Sequence, residues 1–119
     1  MNTEHLSHYV KDERPWGNFE QFTLNEKSTV KVITVKAGEA FSLQTHEHRG
    51  EFWHILSGSG EITVDTETYE AHAGDNFFVP KQTKHRVQAA QNDIVFLEIT
   101  FGDFDEKDII RLEDNYGRT

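Results

Sequence analysis

The stretch that decides the fold is GEAFSLQTHEHRGEFWHILSG, residues 38–58. It combines a strand-like pattern with several side chains that can bind a metal ion. A second stretch, GDNFFVPKQTKH (residues 74–85), supplies a further histidine. We interpret the two stretches as β-hairpin segments that face one another and bring four side chains to one candidate active site. These four residues are Gln44, His46, Glu51 and His85.

Strand parity supports this convergence. Successive side chains of a strand point to opposite faces, so Gln44, His46 and His48 are predicted to share one face. After a turn at residues 49–50, Glu51 begins the next predicted strand and points the same way. If both faces line a small barrel, a divalent ion would satisfy the buried cluster. Without an ion, the charge of Glu51 would be costly to bury.

Length and composition limit the possible classes of protein. A chain of 119 residues is long enough for one domain with its own core, and it contains no cysteine for disulfides or thiolate metal sites. The formal charge of -9 argues against a nucleic-acid or anionic-membrane partner. No stretch approaches the roughly 20 apolar residues of a membrane span. We therefore expect a cytoplasmic protein without nucleic-acid or membrane partners.

Short β-rich segments punctuated by glycine or proline recur along the chain. The predicted strands are residues 20–24, 29–35, 41–48, 51–57, 60–64, 68–71, 76–79, 86–89 and 94–101. Many short strands with regular turn signals predict an antiparallel sandwich or barrel, and an all-β, single-domain jelly-roll β-barrel fits best.

The two ends of the chain have a different pattern from the barrel. Residues 1–13 are polar and predict an N-terminal arm or short helix, and the barrel domain is expected to span residues 14–119. Near the C-terminus, Asp105 is a possible N-cap of a helical turn. An extended tail packed on the barrel is expected to follow.

The glycines and candidate ligands resemble two known motifs. Residues Gly38, Gln44, His46, Glu51 and Gly58 are spaced as in the first cupin motif, with glutamine in place of its first histidine. Gly74, Pro80 and His85 resemble the second cupin motif, with Gln82 where that motif has glycine and Ala89 where it often has asparagine.

Within the cupins, the chain is similar to one branch. RPWG (14–17), SLQTHEHRGEFW (42–53) and DIIRLEDNYGR (108–118) resemble the cupin domain of type II mannose-6-phosphate isomerases. The resemblance covers nearly the whole chain from Arg14 onward. In many of those proteins the domain follows a mannose-1-phosphate guanylyltransferase domain, which 119 residues cannot contain. Phe52 stands where the family commonly has histidine, and this departure bears on substrate identity. A homodimer is a further implication of the resemblance.

The predicted metal ligands are His46, His85, Glu51 and Gln44. Imidazole is the commonest ligand of divalent metals in proteins, and Glu51 supplies the negative charge. The alternatives are that the histidines are ordinary hydrogen-bonded residues, that Glu51 is a solvated strand residue and that Gln44 only forms hydrogen bonds. The expected cofactor is one divalent ion, with Zn first and Mn, Fe, Co or Ni as alternatives.

The other predicted site residues act on the substrate. His48 and Glu51 are the candidate catalytic residues, and a hydroxide bound to the ion is an alternative general base. Cations near the expected mouth of the barrel suit a phosphate ester, because arginine can bind phosphate bidentately. The candidate substrate-binding residues are Arg49, Lys81, Lys84, Arg86 and Arg118.

Three functions are carried forward. The first is a metal-dependent aldose–ketose isomerase of a sugar phosphate, with mannose 6-phosphate and fructose 6-phosphate as the pair that the resemblance implies. The second is a non-catalytic module that binds a sugar or a nucleotide sugar. The third is an iron-dependent dioxygenase, because mixed nitrogen and oxygen ligands also suit iron.

Overall fold

The computed structural model describes residues 2–118. Met1 and Thr119, the outermost residues of the predicted arm and barrel domain, lie outside the described residues. A short 3-10 turn at Asn2–His5 precedes the strands. The strands are β1 (Val10–Arg14), β2 (Gly17–Gln21), β3 (Ser28–Val35), β4 (Leu43–Thr45), β5 (Glu51–Ser57), β6 (Ser59–Val64), β7 (Glu67–His72), β8 (Asn76–Val79), β9 (His85–Ala89), β10 (Ile94–Phe101) and β11 (Ile110–Glu113).

Two antiparallel sheets form the body of the barrel. One has four strands in the order β3-β10-β5-β8, and the other has five in the order β11-β4-β9-β6-β7. Strands β1 and β2 make a separate two-stranded hairpin. Within residues 2–118 there is no α-helix, and so no helix that could cross a membrane. The predicted all-β jelly roll is therefore confirmed.

The main core lies between the two sheets. Trp53, Ile55 and Phe96 project from the four-stranded sheet, Ile62 and Val87 project from the five-stranded sheet, and all five are almost completely buried. Burying such side chains is the main favourable term in folding, at about 25 cal/mol for each Å² of apolar surface.

A second, smaller core lies on the outer face of the four-stranded sheet. There the N-terminal Leu6 packs on Phe52 and Ile99, whose side chains point away from the main core. Both faces of this sheet are therefore partly buried. The N-terminal segment thus covers part of the sheet of its own chain.

Gly58 makes the tight connection between β5 and β6 possible. Its φ is +81°, and a Cβ at this position would lie 1.9 Å from the carbonyl oxygen of Asp93. Only glycine combines this left-handed backbone with such a close approach.

Several strand limits differ from the prediction. The predicted strand 41–48 is shorter, because the ladder of β4 covers only Leu43–Thr45. The strand predicted at residues 20–24 corresponds to β2, which occupies Gly17–Gln21. The hairpin strand β1 was missed because its sequence, VKDER, has no alternating apolar face. The predicted helical turn at Asp105 is a tight turn, in which the Lys107 amide donates to the Asp105 carboxylate.

Candidate metal centre

Three strands bring the candidate ligands together. Gln44 on β4 and His85 on β9 are direct partners across the five-stranded sheet, so their side chains lie side by side. Glu51 is the first residue of β5 in the opposite sheet, and it faces them across the barrel. His46 follows the end of β4 and is buried although it lies outside the strand. The two sheets therefore meet at one end through polar rather than apolar side chains.

The geometry of His46, Glu51 and His85 is compact. Glu51 Oε1 lies 3.4 Å from His46 Nε2 and 3.3 Å from His85 Nε2. One candidate ligand atom from each residue lies within 4.8 Å of the others. All three side chains are no more than 2% exposed. The triad can hold one metal ion.

The hydrogen bonds around the rings fix where their protons lie. His46 Nδ1 is 2.5 Å from the Asp108 carbonyl oxygen, and His85 Nδ1 is 2.9 Å from that of Thr83. A carbonyl can only accept, so each ring donates through Nδ1. In the neutral imidazole, Nε2 then carries a lone pair.

Three acceptor atoms consequently converge. They are the two Nε2 atoms and Glu51 Oε1, and the carboxylate oxygen has no hydrogen-bond partner. A buried carboxylate oxygen without a donor is costly, and a divalent cation bound by all three atoms would remove that cost. The donor set thus fits a metal ion that prefers nitrogen and oxygen ligands.

Gln44 completes the ring of groups around this point. As placed, its Nε2 lies 3.3 Å from His46 Nε2 and 3.4 Å from His85 Nε2, and its Oε1 accepts a 2.6 Å bond from the Ser42 hydroxyl. An amide can be turned over without changing its shape, and a hydroxyl can accept as well as donate. The turned amide would present its oxygen to the centre and keep its bond to Ser42.

We call this end of the barrel the mouth, and define it by Gln44, His46, Arg49, Glu51, His85, Glu98, Thr100 and Arg111. Five buried side-chain polar atoms of the described residues lack a hydrogen-bond partner, and four of them lie here. They are Glu51 Oε1, Arg49 Nε, Thr100 Oγ1 and Arg111 Nε. The strand register places Thr100 opposite Glu51 and Arg111 opposite Gln44. Unpaired donors and acceptors are therefore concentrated around the candidate centre.

Arg49 is the cation nearest to the centre. Its side chain is only 8% exposed, and its Nε lies 3.7 Å from Glu51 Oε2. One terminal nitrogen donates to the Asp105 carbonyl oxygen at 2.9 Å, and the other lies 3.3 Å from His46 Nε2. Since arginine can only donate, this contact also assigns a lone pair to His46 Nε2.

A second buried carboxyl group, Glu98, lies beside Glu51. Trp53 Nε1 donates to Glu98 Oε2 at 3.3 Å. Burial, together with the charge of Glu51, raises the pKa of Glu98 to about 8. Burial alone would raise the pKa of Glu51 as well, but hydrogen bonding from its buried neighbours, the protonated Glu98 among them, holds it below its usual value. The pair thus keeps one proton near neutral pH, and Glu98 carries it.

Two mouth residues escaped the sequence analysis. Glu98 is the only charged residue of β10, IVFLEITF, and a charge inside an apolar strand is the signal that would have found it. Arg111 falls in the C-terminal segment that was expected to be an extended tail. Because β11 pairs with β4, that tail delivers Arg111 to the side of Gln44.

His48 does not join the cluster. It is exposed, and its backbone amide donates to Asp108 Oδ2 at 3.0 Å. The parity argument fails for His48 because β4 ends at Thr45 and the loop no longer alternates. His48 is therefore a rim residue of the mouth loop.

The other predicted substrate-binding cations differ in their availability. Arg86 donates to the Phe41 carbonyl oxygen and forms a 3.2 Å ion pair with Glu113. Arg118 is paired with Asp114 at 2.8 Å. Lys81 and Lys84 lie on the connection between β8 and β9, exposed and half-buried respectively. Of the five predicted cations, only Arg49 contacts the metal triad.

Comparison with known proteins gives consistent matches. The profile of the family described as mannose-6-phosphate isomerase C-terminal matches residues 1–114. The alginate biosynthesis protein AlgA of Pseudomonas aeruginosa is 37% identical over 108 residues, which are 89% of this chain and 22% of that protein. A mannose-1-phosphate guanylyltransferase of Klebsiella pneumoniae is 38% identical over 107 residues, covering 88% and 23%. This chain thus spans less than a quarter of either relative.

Solved structures show the same fold. The crystal structure of a cupin protein from Bacteroides fragilis matches with a TM-score of 0.58 and 31% sequence identity. The match covers 69% of this chain and 72% of that one.

Proposed function

We propose that this chain, which belongs to the cupin family described as mannose-6-phosphate isomerase C-terminal, is a metal-dependent aldose–ketose isomerase domain for a sugar phosphate. Interconversion of mannose 6-phosphate and fructose 6-phosphate is the proposed reaction. One observation carries the proposal: Glu51 Oε1 converges with two imidazole nitrogens, and this oxygen and the buried Nε atoms of Arg49 and Arg111 all lack a hydrogen-bond partner. The first group suits a divalent cation, and the second suits an anionic oxygen ligand. A sugar phosphate with its metal ion supplies both.

The proposed metal ligands are His46, His85, Glu51 and the turned amide of Gln44. Zn is the first choice, with Mn, Fe, Co or Ni as alternatives, since the ligand set contains no thiolate. When bound, the ion acts as a Lewis acid for the carbonyl and neighbouring hydroxyl oxygens of the sugar. One carboxylate against a divalent charge leaves the centre net positive, which favours the negative charge that develops during isomerisation.

The chain's own residues supply the remaining parts of the proposed reaction. Arg49 and Arg111 hold an anionic group of the substrate through their unpaired nitrogens. A general base must move one proton between adjacent carbons, and His48 and Glu51 are the candidates from the sequence. Glu98 is a further buried carboxyl group beside Glu51. The Trp53 indole and the closed core beneath it exclude water from the floor of the site.

A coupled assay for fructose 6-phosphate tests this function. The protein is stripped with a chelator, assayed with mannose 6-phosphate, and assayed again after Zn, Mn, Fe, Co or Ni is added back. We expect turnover only with metal present. Absence of turnover with all five ions contradicts the isomerase proposal.

A second candidate function is a non-catalytic module that binds a sugar or a nucleotide sugar. This candidate is favoured because the chain matches only 23% of a relative that is named as a mannose-1-phosphate guanylyltransferase. The matched part of that relative need not be its catalytic part. Measurable affinity for mannose 6-phosphate or GDP-mannose without turnover selects this alternative. The iron-dependent dioxygenase stays a prediction, and oxygen uptake with iron but not zinc would select it.

We also propose a homodimer. Its support is exposed apolar surface: Trp16, at the tip of the β1–β2 hairpin, is 74% exposed, and Val30 and Val32 on the edge strand β3 are 55% and 62% exposed. An exposed edge strand and an apolar hairpin tip are both surfaces on which chains associate. Light scattering of the wild type and of Trp16→Ser tests this, and a monomeric wild type contradicts it.

A further inference from the structure

Lys31 is a cation on the opposite wall of the mouth. It lies on β3 and pairs with Glu98, which in turn pairs with Trp53 on β5. This register places its side chain on the inner face of the four-stranded sheet, the same face as Glu51. At about 4.8 Å for each strand spacing, the Lys31 backbone lies roughly 10 Å across the sheet from that of Trp53. Its side chain is 37% exposed at the open edge of the sheet, and its amine lies 3.7 Å from Glu106.

Phe104 links Lys31 to Arg49. The Lys31 amine lies 4.1 Å from the centroid of the Phe104 ring, and the Arg49 guanidinium carbon lies 4.5 Å from it. Two cations thus share one aromatic ring. The ring attracts both through its quadrupole but neutralises neither.

The same segment supplies the polar contacts of both cations. Glu106 approaches Lys31 at 3.7 Å, and its side chain is 82% exposed. Within this segment Arg49 binds only the backbone carbonyl oxygen of Asp105, and its buried Nε, 3.7 Å from Glu51 Oε2, has no hydrogen-bond partner. Such an exposed ion pair contributes little, so these contacts are easily exchanged.

We propose that Lys31 and Arg49 form an anion subsite at the mouth, covered in this structure by residues 102–108, which we call the mouth strap. The anion displaces Glu106 and the Phe104 ring and takes both cations. For the isomerase, this anion is the phosphate of the sugar phosphate, and that assignment rests on the proposed function. The subsite itself rests on the position of the two cations and on Arg49 Nε, which has no hydrogen-bond partner.

Charge and hydrogen-bonding capacity favour the exchange. A phosphate oxyanion has several acceptor oxygens and can bind the guanidinium bidentately, whereas Glu106 contacts one cation beyond hydrogen-bonding distance. A bound metal ion reinforces this. When the ion takes the lone pair of His46, the Arg49 nitrogen that lies 3.3 Å away loses that acceptor. Metal binding thus makes Arg49 more available to the anion.

The mouth strap is built to move between two fixed ends. It begins at Gly102, whose φ of +76° is in the left-handed region that glycine tolerates. It ends at Asp108, whose carboxylate accepts the backbone amides of Glu47 and His48 at 2.7 and 3.0 Å. Between these points Asp103 pairs with Lys27, and Phe104 and Glu106 contact the two cations. Displacing them breaks no strand pairing.

Titration calorimetry of the zinc-loaded protein with inorganic phosphate and with mannose 6-phosphate tests the subsite. Lys31→Met keeps the aliphatic stem and removes the charge, and we expect both anions to bind about tenfold more weakly. Lys11→Met, at an exposed position of β1, makes the same charge change and should bind as the wild type does. Equal affinity of Lys31→Met and wild type, or no binding of phosphate to the wild type, would overturn the subsite.

If Glu106 of the mouth strap competes with the anion, removing its charge should strengthen anion binding. Glu106→Gln removes the competing carboxylate, and we expect phosphate to bind severalfold more tightly. Glu70→Gln, exposed on β7, is the matched control and should show no gain beyond that of its charge. Unchanged or weaker binding by Glu106→Gln relative to this control would overturn the displacement. Glu106 is exposed, so loss of folding cannot explain a result.

The two proposals fail separately. If the protein binds phosphate through Lys31 but turns over no sugar phosphate, the subsite stands and the isomerase proposal fails. If it turns over mannose 6-phosphate with the same KM in Lys31→Met as in the wild type, the isomerase proposal stands and the subsite fails. Metal content, measured for every variant, shows that no result reflects a lost ion.

Discussion

The two ends of the barrel are built from the same strands and have opposite chemistry. On β5 the inward residues run from Glu51 at the mouth through Trp53 to Ile55, and on β9 His85 gives way to Val87. Two residues along a strand are enough to pass from a buried polar cluster to a closed apolar core. We call the apolar part, formed by Ile55, Ile62, Val87, Ile94 and Phe96, the closed end.

The difference separates stability from function. Each side chain at the closed end contacts others of its kind and needs no further partner. The mouth instead buries charged and polar atoms, and four of them have no hydrogen-bond partner among the described residues. Such an arrangement costs folding free energy and is maintained only where a ligand offsets it. The closed end therefore stabilises the barrel, and the mouth is the part that we propose binds the metal ion and the substrate.

The largest effect is expected at the closed end. Phe96→Ala removes a fully buried ring and should lower the free energy of unfolding by about 3–5 kcal/mol. The loss should be the same with and without zinc, as measured by urea denaturation. Leu24→Ala is the apolar control, and because this residue is 51% exposed it should change stability by less than about 1 kcal/mol. If the stability lost in Phe96→Ala depended on zinc, the view that the closed end and the mouth contribute independently would be contradicted.

At the mouth, stability should depend on the ion. Zinc at a hundred times its Kd should stabilise the wild type by about 2.7 kcal/mol. Glu51→Gln removes the charged ligand and should abolish this gain, whereas Glu61→Gln, exposed on β6, should keep it. Thermal unfolding with and without zinc measures the difference. Stabilisation of Glu51→Gln by zinc to the wild-type extent would contradict the assignment of Glu51.

Gln44 should contribute less than the histidines. A neutral amide oxygen is a weaker ligand, so Gln44→Ala should weaken zinc binding about tenfold, or ~1.4 kcal/mol. Gln91→Ala, exposed in the turn between β9 and β10, is a matched control and should have no effect. Competition with a chelator dye measures both affinities. Equal zinc affinity of the two variants would show that Gln44 only forms hydrogen bonds.

The smallest effect is expected from Asp108, which supports the mouth loop without facing the ion. Asp108→Asn leaves one acceptor for two backbone amides, and the lost hydrogen bond is worth about 1 kcal/mol. Zinc binding should weaken by about fivefold, because the backbone carbonyl that orients His46 belongs to the same residue. Asp12→Asn, on the separate hairpin, is the control. An unchanged zinc affinity would show that the loop holds its position without this clamp.

The closed end could be predicted from the sequence better than the mouth. Alternation identified β3, and short β-rich stretches between turn residues identified β5, β8 and β10. Parity also explains why Glu51 and Trp53 face inward. It failed at His48, because loop hydrogen bonds to Asp108 replace the strand ladder beyond Thr45.

Contacts between distant segments were beyond the sequence. Arg111 lies 67 positions from its partner Gln44 along the chain, and no local pattern indicates that β11 pairs with β4. Lys31 was missed because the sequence of its strand does not show whether the lysine faces the core or the solvent, and only its pairing with Glu98 places it on the inner face. From the sequence alone, Glu98 is a single charged residue in an apolar strand. The pairing of Glu98 with Trp53 is what places it on the same face as Glu51.

Metal content tests the central claim most directly, namely that His46 and His85 hold one divalent ion with Glu51. After dialysis against buffer with trace zinc, elemental analysis should find one ion per chain in the wild type. The double variant His46→Ala/His85→Ala should retain almost none, and His8→Ala/His72→Ala, which changes two exposed histidines, should retain a full equivalent. A full equivalent of metal in the first double variant would contradict the account.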